Sequence, residues 1–424
     1  MSDELLGIEA ALATVLAGVE PVTDVEELRH EDAVGRTLAA DLIAPASQPS
    51  WAACTMDGYA VRSVDVAGAS RADPVRLTVV GEVRAGQASD VRVLGSTAIR
   101  VATGAPLPPG ADAVIPVEEV TDVLPAALLV HAPVRAGNAV RPAGSAATAG
   151  DILAPGRARV TPAVVALAAS AGIERLAVRR LPIVAVLACG DEIRPASLAP
   201  DPAGLPDACG PMVRALVRAA GARAVDLGIT RDDVGELVAG IVNALATADI
   251  IVVSGGVSSG RDDIVRQAFD AVGHASPWRV SMRPGRPFAF GRAEVPGRET
   301  PVLLFGLPGN PVASLVLFEV FVRPTLHRLE GRERRYQASE RAVLEERVAN
   351  DQGRRGFQPV TVRRDADGRV MRDGAGRVRV RLSRGSGGDS NAALAKADGL
   401  VVIPESLGVA DAGTDVELRW FDRR

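Results

Sequence analysis

Beyond Pro182 the chain alternates short apolar runs with longer amphipathic stretches. Ile183 to Leu187 reads as a buried strand, Pro211 to Ala220 as a helix, Ala224 to Leu227 as a strand and Asp232 to Leu245 as a helix. Asp249 to Phe269 then compresses a β-branched run (Ile250 to Val253), a glycine-rich turn and the start of a further helix into little space. Extended residues at Val280 and Phe288 to Phe290, a strand at Val302 to Phe305 and a helix from Val312 to Leu329 complete the series. Strand and helix repeated at this spacing predict a mostly parallel sheet wrapped by helices.

The flanks follow other periods. Residues 2 to 17 are expected to be helical, capped by Ser2, with Leu5, Ile8, Leu12, Val15 and Val19 on a face that packs on another domain. A short extended piece and a short helix around Val34 to Leu42 come next, and Pro45 and Pro49 mark a boundary near residue 50. From Trp51 to about Arg141, alternating stretches such as Val75, Leu77 and Val79, and Ala98 to Ala102, predict a β domain. Thr161 and Pro162 then fit N-cap and first helical position, with Gly172 as the stop. Near the C-terminus Val378, Val380 and Leu382 alternate with arginines. The expected fold is multidomain α/β. Residues 1–50 plus 141–180 form a discontinuous linking domain, 51–140 a β-rich domain, 181–330 a central doubly wound α/β domain, and 335–424 a β-rich C-terminal domain.

Length sharpens this, since 424 residues call for about three or four domains by the usual size range. With 47% hydrophobic but only 3% aromatic residues, the cores are expected to be Ala, Val and Leu, without aromatic platforms for nucleic acid. A net charge of −4 and a pI near 5.8 give no basic footprint either. Cys54, Cys189 and Cys209 form neither a disulfide framework nor a zinc pattern, and they read as small buried side chains in a reducing compartment. The four histidines are unpaired at ligand spacing, so any metal is expected to be hard and held by carboxylates. No apolar run approaches a bilayer span and the MSDELLGIEA start is acidic, so the expectation is a cytoplasmic protein without membrane contact.

In open α/β sheets, ligands sit beyond the carboxyl ends of the strands. Three such ends carry suggestive loops: Cys189-Gly190-Asp191-Glu192, Ser254 to Gly260, and Gly306-Leu307-Pro308-Gly309-Asn310-Pro311. Their glycines permit close backbone approach to an anion. Among the carboxylates nearby, Asp232, Asp233 and Asp262 fit helix first turns. Glu192 and Asp263 follow different strands at one sheet edge, where Mg²⁺ shared with a phosphate is the stronger reading. Arg283-Pro284-Gly285-Arg286-Pro287 offers two guanidinium groups on a stiffened turn, suited to a tetrahedral oxyanion or simply an exposed basic turn. Met56-Asp57-Gly58-Tyr59 and the stretch from Thr103 to Asp112 are dense in turn formers, and structural locks explain them equally well.

Taken together, TMDGYAVR (55–62), GEVRAG (81–86), VATGAPLPPGADAVIPVE (101–118), GDE (190–192), SGGVSSG (254–260), RPGRPFAFG (283–291), GLPGNP (306–311), and GSGG with ADGLVVIPE (385–405) strongly resemble the MoeA family of molybdopterin molybdenumtransferases, which includes the gephyrin E domain. The resemblance covers nearly the whole chain in order. It implies a homodimer that converts adenylylated molybdopterin and molybdate to molybdenum cofactor and AMP with Mg²⁺. By motif, Glu192 and Asp263 hold or neighbour Mg²⁺ and phosphates. Ser254, Gly255, Gly256, Ser258 and Gly260, with Pro308, Gly309 and Asn310, line the pterin and nucleotide pocket. Arg283, Arg286, Arg354 and Ser386 match the molybdate pocket, and Asp57 and Thr103 match residues that complete the active site from the partner subunit. The chain departs from the family at Ala52-Ala53-Cys54-Thr55, where Asp-Asn-Ser-Ala is usual, and at Asp207-Ala208-Cys209, where Asp-Ser-Asn is usual. Arg283 and Arg286 stand for lysines, in a chain whose one lysine is Lys396, and Arg261 stands for an acidic residue. The alternative is a diverged paralogue that binds the pterin without processing it. A nucleotide phosphotransferase ranks behind both, because no Walker lysine is present.

Overall fold

The computed structural model of the chain describes residues 5–123, 126–199, 201–257, 263–332, 338–384 and 391–421. They form two compact units, residues 1–26 with 179–424 and residues 27–178.

The larger unit contains the expected α/β sheet. Its strands run in the order Arg223–Thr230, Ile183–Cys189, Ile250–Ser254, Val302–Leu307, Pro287–Ala293 and His274–Arg279. The first four are parallel, and the last two add antiparallel. Apolar residues alternate between two covered faces, so the central strands read as continuous hydrophobic runs. Val184, Val186, Ile250, Val252 and Phe305 enter one core, and Ala185, Leu187, Ile251, Val253 and Leu304 enter the other. Register then brings the functional loops together: Ala188 lies opposite Ser254, and Ser254 opposite Leu307. At the opposite sheet edge the buried Asp249 carboxylate accepts from Arg180 (2.8 Å), Arg298 (3.0 Å) and the Ile183 backbone N–H (2.8 Å).

The helices start where their caps dictate. Asp233 accepts from the Glu236 N–H before Val234–Leu245, and Asn310 accepts from the Val312 and Ala313 N–H groups before Pro311–Leu317. The expected helix from Val312 to Leu329 is a continuous helical run with a π-helical turn at Phe318–Val322. The N-terminal helix is Ile8–Leu16, shorter than the sequence period predicts, with Gly7 at its cap. Its start is displaced because Leu6 pairs with Val280, exchanging backbone hydrogen bonds with Arg279 and Ser281 (both 2.9 Å). Its apolar face, Ile8, Ala11, Leu12 and Val15, packs into the α/β core.

The same unit carries a second sheet, ordered Met282–Arg283, Arg355–Val362, Val378–Leu382, Ser339–Leu344, Asp415–Trp420 and Gly399–Ile403. Leu344, Val360, Val380, Val401 and Leu418 fill its core. The parallel pairing of Met282 with Arg355 and of Arg283 with Gly356 ties the arginine turn to this sheet.

In the smaller unit, a sheet ordered Ala113–Pro116, Gly58–Val61, Thr97–Val101, Val75–Val83, Ala127–Val130 and Val120–Val123 closes over Tyr59, Leu77, Ile115 and Leu128. A separate core joins Ala33, Leu38 and Leu42 to Ala154, Val160, Leu176 and Val178. The helix expected at Val34 to Leu42 does not form. Thr37 pairs with Arg159, Leu38 with Val178, and Leu42–Ile43 with Ile152–Ala154, so long-range pairing overrides the local period. The helix Pro162–Ser170 forms as expected, with Thr161 Oγ1 accepting from the Val164 N–H.

Candidate functional site

The three strand-end loops enclose a cavity of about 400 Å³ in the larger unit, lined among others by Glu192, Asp207, Asp232, Ser254, Gly255 and Gly309. Its floor is backbone. At Gly255, φ is +92° and a Cβ would stand 2.0 Å from the Cys189 carbonyl oxygen, while the Gly255 N–H donates to the Leu307 carbonyl (2.9 Å). Only glycine fits there. Gly256 also lines the cavity at φ +66°, and Gly309 leaves 3.7 Å between its would-be Cβ and the Gly255 Cα. Ser254 ends its strand only 2% exposed, with Oγ buried and unpaired among the described residues. A buried hydroxyl without a partner costs stability, and this one belongs to a residue that lines the cavity.

Glu192 is exposed on the wall. Asp232 faces the Glu192 loop: its carboxylate lies 3.5 Å from the Asp191 N–H and 3.5 Å from the Cys189 sulfur. Burial, reinforced by the Asp232 charge, pushes the Cys189 thiol up to about 12. Cys209 donates to the Gly309 carbonyl (3.3 Å), and burial pushes its thiol up to about 11. Both thiols are protonated wall material, as expected of small buried side chains.

Of the residues singled out in the sequence, Glu192, Ser254, Gly255, Gly256 and Gly309 meet in this cavity. Asn310 and Pro308 flank Gly309 but are not among the described residues lining the cavity; Asn310 is the helix cap and the Pro308 carbonyl accepts from the Ser314 hydroxyl. Asp263 is 4% exposed and caps Ile264–Val272, accepting from the Arg266 N–H (2.9 Å). It is not among the described residues lining the cavity. Ser258, Gly260, Arg261 and Ser386 lie outside the described residues. Asp207, Asp232 and Asn391 also line the cavity, although sequence reasoning gave them no such role. Asp207 opens the altered Asp-Ala-Cys stretch, a signal that was available, whereas nothing around Asn391 announces it.

Arg283 and Arg354, far apart in sequence, converge on one carboxylate. Arg283 Nη1 donates to Asp351 Oδ1 (2.5 Å) and Arg354 Nη1 to Asp351 Oδ2 (3.1 Å). Arg286, past Gly285 at φ +102°, has a buried Nε with no hydrogen-bond partner among the described residues. In the smaller unit Asp57 Oδ1 accepts both the Thr103 N–H (2.7 Å) and its hydroxyl (2.9 Å). Those donors, the backbone N–H first, hold the exposed carboxyl below the ordinary 3.8. Gly58 permits this turn, since a Cβ there would lie 2.1 Å from the Ile115 carbonyl oxygen.

The MoeA N-terminal region (domain I and II) matches residues 6–172, a probable molybdopterin binding domain matches 185–328, and the MoeA C-terminal region (domain IV) matches 341–420. Molybdopterin molybdenumtransferase 2 of Mycobacterium tuberculosis is 33% identical over 417 residues, spanning 97% of each chain. The chain belongs to the MoeA family. Membership makes it a transferase of molybdenum cofactor biosynthesis. The Haemophilus influenzae molybdopterin molybdenumtransferase is 28% identical over 423 residues, covering 99% of each chain. Among solved structures, a molybdopterin biosynthesis MoeA protein from Pyrococcus horikoshii aligns at a TM-score of 0.83 and 32% identity, covering 99% of this MoeA-family chain and all of the other. A second structure from that organism, at 0.79 and 24%, shows the fold alone. No helix among the described residues is long and apolar enough to cross a membrane.

Proposed function

We propose that this MoeA-family transferase inserts molybdenum from molybdate into adenylylated molybdopterin and releases AMP. The observation that carries the reading is the buried, unpartnered Ser254 hydroxyl beside the Gly255 turn, in a residue that lines the same cavity as Glu192. Ser254 donates to a phosphate oxygen of the substrate, and the glycine floor lets the pterin and nucleotide approach backbone closely. Arg283, Arg286 and Arg354 supply charge and fork geometry for the tetrahedral molybdate. Holding molybdate close to the dithiolene sulfurs converts an encounter in solution into reaction within one site.

Mg²⁺ fits the donor chemistry. The described residues hold no group of three or more metal-binding side chains, but this ion is ordinarily bound by one or two carboxylates, with water and phosphate oxygens completing its shell. Glu192 would hold it, and it would polarise the phosphoanhydride. We further propose a homodimer in which Asp57 and Thr103 complete the active site of a second subunit.

The wall at Asp207-Ala208-Cys209, where Asp-Ser-Asn is usual, gives a second reading its basis, a chain that holds the pterin without processing it: there the Cys209 thiol is committed to the Gly309 carbonyl. Replacing Glu192 by Gln separates the two. The transferase reading expects cofactor synthesis to fall about 100-fold while pterin binding in calorimetry persists. Unchanged synthesis would leave only the binding role.

A further inference from the structure

We infer that Asp351 is an exchangeable internal counter-ion of the oxyanion subsite, occupying Arg283 and Arg354 until a tetrahedral dianion displaces it. The inference rests on the reading that the arginine turn receives molybdate.

Asp351 uses its two oxygens on two different arginines, Oδ1 on Arg283 and Oδ2 on Arg354, as two oxygens of an XO₄²⁻ anion would. The backbone around it is fixed. Ser281 Oγ donates to the Gly353 carbonyl (2.5 Å), the Arg355 N–H to the Ser281 carbonyl (3.1 Å), and Asn350 Nδ2 to the Arg354 carbonyl (2.9 Å). The side chains are not fixed in the same way: those of Arg283, Asp351 and Arg354 are 53%, 39% and 27% exposed. Pairs so exposed are weak, which makes the incumbent carboxylate easy to displace.

The neighbouring Arg355 shows the contrast. It donates two hydrogen bonds to Glu405 (both 3.0 Å) and another to Glu9, so its charge is already matched by two carboxylates. Arg283 and Arg354 share one, and the Arg286 Nε has no partner among the described residues. Among the described residues the Arg283–Arg354 pair is therefore one anion short, and a dianion supplies the charge that a single carboxylate lacks. Displaced Asp351 returns when the oxyanion is consumed, which keeps the arginines aligned between turnovers.

Calorimetric titration of the full-length protein with molybdate, tungstate and sulfate tests this, comparing wild type with Asp351→Asn and Asp351→Ser. Removing the incumbent is expected to tighten oxyanion binding in both variants by about three- to tenfold, with melting temperatures unchanged. If Asp351 merely positions the arginines, binding weakens or stays the same in the variants, and that result overturns the inference while leaving the subsite intact. No binding to any of the three proteins at millimolar molybdate overturns the subsite reading, and the inference with it.

Discussion

The strand-end cavity and the arginine turn, the two parts of the proposed site, are built on opposite principles. In the cavity the recognition surface is backbone, with Gly255 pressed against the Cys189 carbonyl and a buried serine lacking a partner. At the turn it is side-chain charge, exposed and already neutralised in part by Asp351. A surface of backbone cannot adjust without unfolding locally, so it suits a large substrate held in one pose. A surface of long side chains adjusts readily, which suits a small symmetric ion that arrives and is consumed. The difference shows where each site is vulnerable: the cavity to added atoms, the turn to altered charge.

The largest effect is expected from Gly255→Ala. A methyl group 2.0 Å from a carbonyl oxygen, at φ +92°, must displace the loop, at about 3 kcal/mol in stability with loss of pterin binding. A denaturation midpoint close to wild type would break the contrast, because the cavity floor would then be as adjustable as the turn. Ser254→Ala comes next. Removing an unsatisfied buried hydroxyl is expected to leave the midpoint unchanged or raised, while substrate affinity falls about fivefold. Loss of stability without loss of affinity would mean that the hydroxyl serves the fold.

The smallest effect concerns Asp57, which combines the two principles, a charge fixed by a backbone donor. Its depressed carboxyl stays ionised through the neutral range, and its contribution is lost only as pH falls through a value below 3.8. Thr103→Ala removes the hydroxyl but keeps the backbone N–H, so the midpoint followed by NMR is expected to rise part of the way toward 3.8. No movement would assign the whole shift to the backbone.

Much of this was legible from residue pattern. The alternation after Pro182 announced the sheet, and the glycine-rich strand ends announced the cavity, because strand length and period confine such loops to one edge. Asp263 was read as a metal and phosphate residue; in the structure it caps a helix through the Arg266 N–H, a role that its position before an amphipathic run also allowed. What the sequence hid was long-range. Leu38 is extended because Val178 pairs with it, and no local window contains that fact. Asp351 meets Arg283 only because Met282–Arg283 joins the C-terminal sheet beside Arg355. Cys189 and Cys209 share a wall because a strand end and a helix start meet there.

The most direct measurement is AMP release when the purified full-length protein is mixed with adenylylated molybdopterin, Mg²⁺ and molybdate. The expected result is AMP appearing together with molybdenum cofactor, dependent on molybdate. Bound pterin with no AMP released under those conditions would contradict the assignment of this cavity and its arginine turn to molybdenum insertion.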